Sequence, residues 1–196
     1  MKIITNSGYK RATWKNGLGF TDEIAIYPES ATLAKGDFKW RLSSARIENA
    51  SPFSMFPAHE RILVILKGKG IRMVHAYEEG EPEEIHEVKP LEPYEFPGDI
   101  RSRCELLGGP VVDFSVFTEA GNIGANVEVH ELSADEDYLW NAEGRWNFVF
   151  SIEHSVATEA GELREGDTLS CEPGEVRLVA GEGGATLLLV SLESFG

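Results

Sequence analysis

Two arginines, Arg61 and Arg101, sit in short strand-like segments that also carry a glycine. Arg61 lies in His59-Glu60-Arg61-Ile62-Leu63-Val64-Ile65-Leu66-Lys67-Gly68, and Arg101 follows Pro97-Gly98-Asp99-Ile100. A guanidinium is a planar fork of N–H donors that grips a carboxylate through two bonds, so inward-facing arginines would make an anion site. The competing use is structural: either arginine could pair with a buried acid such as Asp113. The residue pattern leaves both uses open. A third candidate is Arg41, in Trp40-Arg41-Leu42-Ser43. Strand alternation places Arg41 and Ser43 on one face, opposite Trp40 and Leu42. If Trp40 and Leu42 pack between sheets, Arg41 and Ser43 either line an interior or face water. Ser54 and Asn16 are the polar side chains that would complete such a site. Asn16 stands in Trp14-Lys15-Asn16-Gly17, which reads as an ordinary turn or as a loop near the pocket.

Other chemistries find less material. Zinc, iron and manganese need imidazole, carboxylate or thiolate donors. His59, His75, His86, His130 and His154 show no HxH pair and no helical i,i+4 pair. His59 and Glu60 are adjacent, so a strand would send them to opposite faces. No metal and no cofactor are expected. A Gly-x-Ser-x-Gly elbow is missing, and Cys104 has no sequence hint of an activating partner. Gly17-Leu18-Gly19 lacks the rest of a phosphate-binding fingerprint. Asp113 or His59 could move a proton in a metal-independent enzyme, an isomerase or a hydrolase.

The elements that must position these residues are strands. Helical periodicity is nearly absent, and short apolar runs alternate with turn signals. Examples are Ile62 to Leu66, the turn Lys67-Gly68-Lys69-Gly70, then Ile71 to Val74, with later runs at Pro110 to Phe117, Trp146 to Ile152 and Ala185 to Leu192. Many short strands with 20 glycines and 9 prolines indicate an all-β sandwich or barrel. Ser133 to Trp140 is the one place where a helical turn is allowed. A loop-like stretch at Glu119 to Ala125 divides the 196 residues into an N-terminal barrel over 1–120 and a C-terminal barrel over 121–196. Phe53, Phe56 and Phe96 are expected to fill core. The longest apolar runs are strand-sized, and the first residues lack a signal-peptide layout, so a cytoplasmic protein without membrane contact is expected. Residues 1–100 hold 13 Lys or Arg against 15 Asp or Glu, and residues 101–196 hold 5 against 18. A net charge of −15 concentrated in the second half repels phosphate backbones, which argues against nucleic acid. The acidic half is read as a solvated surface or as an interaction face. A homodimer is left open.

The segment Pro52 to Gly70 resembles the first cupin motif. Gly68 takes the place of its glycine, Arg61 falls at its glutamate, and Ser54 and Phe56 fall at its two histidines. Leu91 to Arg101 resembles the second motif, with Gly98 at its glycine and Arg101 at its histidine. Arginine stays protonated and has no lone pair for a metal, so these substitutions imply an anion site in place of a metal site. Several motifs together resemble the HutD/Ves family of bicupin proteins: Trp14-Lys15-Asn16-Gly17-Leu18-Gly19-Phe20-Thr21, Glu23-Ile24-Ala25, Phe38 to Ala45, Pro52 to Pro57, Glu60-Arg61 and Gly109-Pro110-Val111-Val112-Asp113-Phe114-Ser115. Two positions depart from it. Gly17-Leu18-Gly19 replaces a run of three small residues, and Ser115 stands where the family often has asparagine. A serine cannot supply an amide's paired donor and acceptor. The resemblance implies a bicupin, two β-barrel or jelly-roll halves packed together. For its histidine-utilisation branch it implies binding of a carboxylate-bearing intermediate such as formylglutamate, in a regulatory role. Arg61, Arg101 and Arg41 would contact that small anion, with Ser54 and Asn16 beside them.

Overall fold

Alternation is visible wherever the chain runs extended. In Val111–Glu119 the side chains of Asp113, Ser115 and Phe117 share one face, and those of Phe114, Val116 and Thr118 the other. The computed structural model describes residues 1–13, 19–77 and 82–195. Its elements are antiparallel strands joined by turns, plus one short 3-10 turn at Asn6–Gly8. Among the described residues no helix is long and apolar enough to cross a membrane.

The chain divides into two compact units, Lys10–Asn122 and Ile123–Gly196 with Met1–Tyr9. The sequence boundary of 1–120 against 121–196 thus differs at the N-terminus. Lys2–Ile4 pairs with Thr168–Cys171, so the first strand of the chain belongs to the C-terminal unit. Nothing local to residues 1–9 announces a partner more than 160 residues away.

The N-terminal unit is a pair of sheets. Six strands run in the order Lys10–Thr13, Gly19–Tyr27, Trp40–Ile47, Val111–Glu119, His59–Lys67, Tyr94–Pro97. Four run in the order Ser51–Pro52, Arg101–Leu106, Ile71–Ala76, Glu84–Val88. Leu63, Ile65 and Phe96 of the larger sheet pack on Ile71, Met73, Val88 and Cys104 of the smaller, forming the core of this unit. Lys67-Gly68-Lys69-Gly70 therefore does not close a hairpin. It carries the chain from one sheet to the other, with positive φ at both Gly68 and Gly70. The C-terminal unit repeats the plan with five strands and four. Its core gathers Val149, Leu163, Leu169, Leu178, Leu187 and Leu189 around Trp140. Each unit is a two-sheet, jelly-roll-like sandwich rather than one closed barrel. The helical turn allowed at Ser133 to Trp140 does not form. Ser133 to Glu136 makes a tight turn with Asp135 at φ 59°, and Asp137–Ala142 is a strand beside Gly174–Ala180.

Gly98 fixes the loop that precedes Arg61. Its N–H donates to the His59 carbonyl at 2.7 Å, and its carbonyl accepts from Phe56 N–H at 2.7 Å. A Cβ here would lie 2.6 Å from both the His59 and Phe56 carbonyl oxygens. Backbone cannot yield as a side chain tip can. Gly98→Ala is therefore expected to lose about 1–3 kcal/mol of stability, read as a lower denaturant midpoint, and an unchanged midpoint would count against this packing role.

Candidate functional site

The face of the six-stranded sheet that turns into the N-terminal unit carries polar residues at one end and core at the other. Cross-strand register sets Glu23 beside Ser43, Ser43 beside Ser115, and Arg61 between Phe117 and Phe96. Leu63 and Ile65 continue the Arg61 face into the core. Above them opens a cavity of about 760 Å³, within the usual range of roughly 300–1,000 Å³ for small-molecule sites. Arg61, Arg41, Asp113, Ser43, Ser115 and Glu23 supply its polar wall, and Phe53, Phe56, Phe117 and Leu33 much of its apolar wall.

Arg61 is 5% exposed. Its guanidinium carbon lies 4.6–5.6 Å from the ring centres of Phe117, Phe53, Phe96 and Phe56. Among the described residues its hydrogen bond is from Nη1 to the Ser54 carbonyl at 3.3 Å, and its buried Nε has no partner. Burial pulls its pKa down to about 10, opposed by Asp113 and reinforced by Arg41. The group remains a cation at neutral pH, faced by π-systems rather than by a bonded carboxylate. Arg41 is equally buried but committed. Its Nε donates to Glu23 Oε2 at 2.9 Å and its Nη1 to Ser43 Oγ at 2.9 Å.

Asp113 is 2% exposed and accepts the Ala45 N–H at 3.0 Å. Burial pushes its pKa up to about 7, against the pull of that hydrogen bond and of Arg61 and Arg41. Ser44 Oγ donates to the Asp113 carbonyl at 2.7 Å and so anchors the strand that carries it.

Not every expected residue arrives. Arg101 is exposed at the start of Arg101–Leu106, outside the cavity wall. Period-two alternation sends Ser102 and Cys104 inward instead, a one-residue difference that reverses the side-chain face. The inward Ser102 Oγ bonds His75 Nδ1 at 2.8 Å, and His75 Nε2 bonds Tyr94 Oη at 2.8 Å. Ser54 is at the cavity, but it meets Arg61 through its backbone carbonyl. Asn16 lies outside the described residues. His59 points its ring nitrogens at the Pro57 and Phe38 carbonyls, at 3.1 and 2.9 Å, and stacks against Phe38. It is used up in the scaffold. Phe53, Phe56 and Phe96, expected as core, do pack in or against the core, and the same rings also surround Arg61.

Phe117 was not singled out from sequence as a site residue, and Glu23 entered only within the Glu23-Ile24-Ala25 motif. Glu23 could have been found as the acid on the Thr21-Glu23 face of its strand. Phe117 could have been found as the third member of the Asp113, Ser115, Phe117 alternation.

The cupin positions do not suit a divalent cation. The glutamate position holds a cation, Arg61, and the histidine positions hold Ser54 and Phe56. Among the described residues no group of three His, Cys, Asp or Glu side chains is arranged to hold a metal ion.

A two-sheet fold in duplicate, with arginine where the first barrel would hold a metal ligand, defines a bicupin-type protein with a cation-bearing cavity. The chain belongs to the HutD family, whose profile matches residues 6–188. An uncharacterized 21.2 kDa protein in the hutC 3' region of Pseudomonas putida is 36% identical over 117 residues, 60% of this chain and 57% of that protein. The match thus spans less than two thirds of that relative. The crystal structure of a conserved protein of unknown function from Pseudomonas aeruginosa superposes with a TM-score of 0.81 at 27% identity, over 98% of each chain. HutD from Pseudomonas fluorescens, solved in a formate condition, gives 0.77 at 26% identity, over 100% of this chain and 99% of that one. A bacterial pirin from Escherichia coli, solved with nickel(II), gives 0.69 at 10% identity over 97% of both chains and shares the fold alone.

Two outcomes test this reading of the interior. At pH 6, Arg61→Met should leave the unfolding free energy unchanged or higher, because a buried, partly unpartnered charge is exchanged for an apolar chain of similar length. A loss above about 2 kcal/mol would mark Arg61 as a structural keystone. The second concerns Asp113, whose folded pKa lies above its unfolded value. Its contribution to stability is present in full below pH 4 and is lost as pH rises through about 7. Stability curves of the wild type and Asp113→Asn should therefore diverge between those limits, the wild type falling relative to the variant. Parallel curves would contradict it.

Proposed function

We propose that this chain is a small-molecule-binding protein, regulatory in role, that holds a carboxylate-bearing metabolite in the cavity of its N-terminal unit. The observation that carries the reading is Arg61, a buried guanidinium at the cavity wall with an unpartnered Nε and one 3.3 Å hydrogen bond. Desolvating a cation is costly unless something compensates it, and a ligand carboxylate is the compensation such a fork fits. Membership of the HutD family and the hutC-adjacent gene of a relative support a link to histidine utilisation; the metabolite proposed is formylglutamate-like in its chemistry and met in the cytoplasm. Ser115 at the wall offers a hydroxyl where a family asparagine would offer an amide.

One observation favours a second reading. A carboxyl held near neutrality beside a cavity can give and take a proton, as a general acid or base must. In that case a metal-free assay with small acids would show turnover that Asp113→Asn abolishes.

Calorimetry with formylglutamate, glutamate, urocanate and histidine separates the two. Binding without turnover is expected for at least one acid. Arg61→Ala should weaken it by about 10- to 100-fold, the worth of a charge-assisted hydrogen bond. No binding by any acid, or equal binding by Arg61→Ala, would remove the proposal.

A further inference from the structure

Charge bookkeeping inside the cavity narrows the ligand further, and it rests on the binding role proposed above. The interior groups cancel in pairs. Arg41 is matched by Glu23, at 2.9 Å. Arg11 at the rim is matched by Asp22, through bonds of 2.7 and 2.6 Å. Lys10 is 81% exposed, stands in water and approaches Glu23 only to 3.9 Å. Among the described residues, what is left is one cation, Arg61, and one acid, Asp113, on neighbouring strands of the same wall. The two do not bond each other. The Asp113 Oδ1 is occupied by Ala45 N–H, and the Arg61 Nη1 by the Ser54 carbonyl.

We propose that the cavity admits a single buried carboxylate, which takes over from Asp113 as the counter-charge of Arg61 while a solvent proton moves onto Asp113. The ligand class is an acid with one interior carboxylate and an uncharged remainder, seated against Phe53, Phe56 and Leu33. Any second charge on the ligand must stay at the rim, near Lys10. In proton terms the balance is simple. The ligand enters as an anion, Asp113 goes from carboxylate to carboxylic acid, and one proton is drawn from the buffer. With Asp113 ionised the interior is already neutral and an added anion is unmatched. With Asp113 protonated the interior carries one positive charge and one anion restores neutrality.

The groups facing Asp113 set no competing switch. Arg61 and Arg41 are cations at neutral pH, and Glu23 is tied to Arg41. The Cys104 thiol, from the smaller sheet, is pushed up by burial and by Asp113 itself and stays protonated. His75, also on the smaller sheet, is buried with both ring nitrogens bonded, and burial holds its pKa below the usual imidazole range. Among the described residues Asp113 is thus the group free to change charge, in the range set by its pKa of about 7.

The test uses N-formyl-L-glutamate and its side-chain amide, N-formyl-L-glutamine, with the full-length protein. Titrations at pH 5.5 and pH 8, in pairs of buffers with different ionisation heats, count the protons taken up. Uptake should approach one proton per ligand at pH 8 and vanish at pH 5.5. Affinity should fall about tenfold per pH unit above neutrality, the slope of one linked proton. In Asp113→Asn both the uptake and the slope should disappear while binding persists. The amide should bind no more weakly than the diacid. Binding without proton uptake, or a diacid preferred more than tenfold, overturns this inference and leaves the binding role standing. Failure of both compounds and of the four acids above removes the binding role and this inference with it.

Discussion

A cation taken out of water must be answered by something, and Arg61 is answered incompletely. Four aromatic rings surround it, one carbonyl accepts from it at 3.3 Å, and no carboxylate bonds it among the described residues. The surrounding structure follows from that arrangement. Phe117 and Phe96 come from the two strands that flank Arg61 in the sheet, so ordinary antiparallel register places rings on both sides of the guanidinium. Phe53 and Phe56 come from the loop that Gly98 clamps. Asp113 is drawn into the same wall, where its charge is costly by burial and useful to Arg61. Burial works against the charged form of both residues, and each partly offsets that penalty for the other, which is why the acid titrates near pH 7 and the base stays charged.

Much of this was legible because strands have a period of two. Arg41 with Ser43, and Asp113 with Ser115, follow from alternation once their segments are read as strands. The Arg61 interior position follows from its place in the cupin-like segment. Arg101 was misplaced for the same reason that the others were found. With a period of two, an assignment one residue off reverses the face, and neither the motif spacing nor the apolar pattern of Ile100 to Leu106 is strict enough to settle it. Glu23 and Phe117 escaped notice as site residues because their importance lies in cross-strand partners, Arg41 and Arg61, that no local pattern announces.

A bacterial pirin at 10% identity shares this fold. Both chains are built as paired two-sheet units, yet this one has guanidinium and phenyl groups where metal ligands would be expected. The fold supplies a sheltered space between two sheets. Whether that space favours a cation or an anion depends on the few side chains on its inner face.

The strand Lys2–Ile4 has a consequence for how the protein is made. It leaves the ribosome more than 160 residues before its partner, Thr168–Cys171. Pairing of such distant segments is slow, because the loop between them must close before any contact repays it. During synthesis the complete Lys10–Asn122 unit can fold while residues 1–9 wait as an unpaired strand at its front. A fragment ending at residue 120 would keep that strand and lose its partner, leaving an edge open to other chains. The self-contained fragment is one that begins at Lys10.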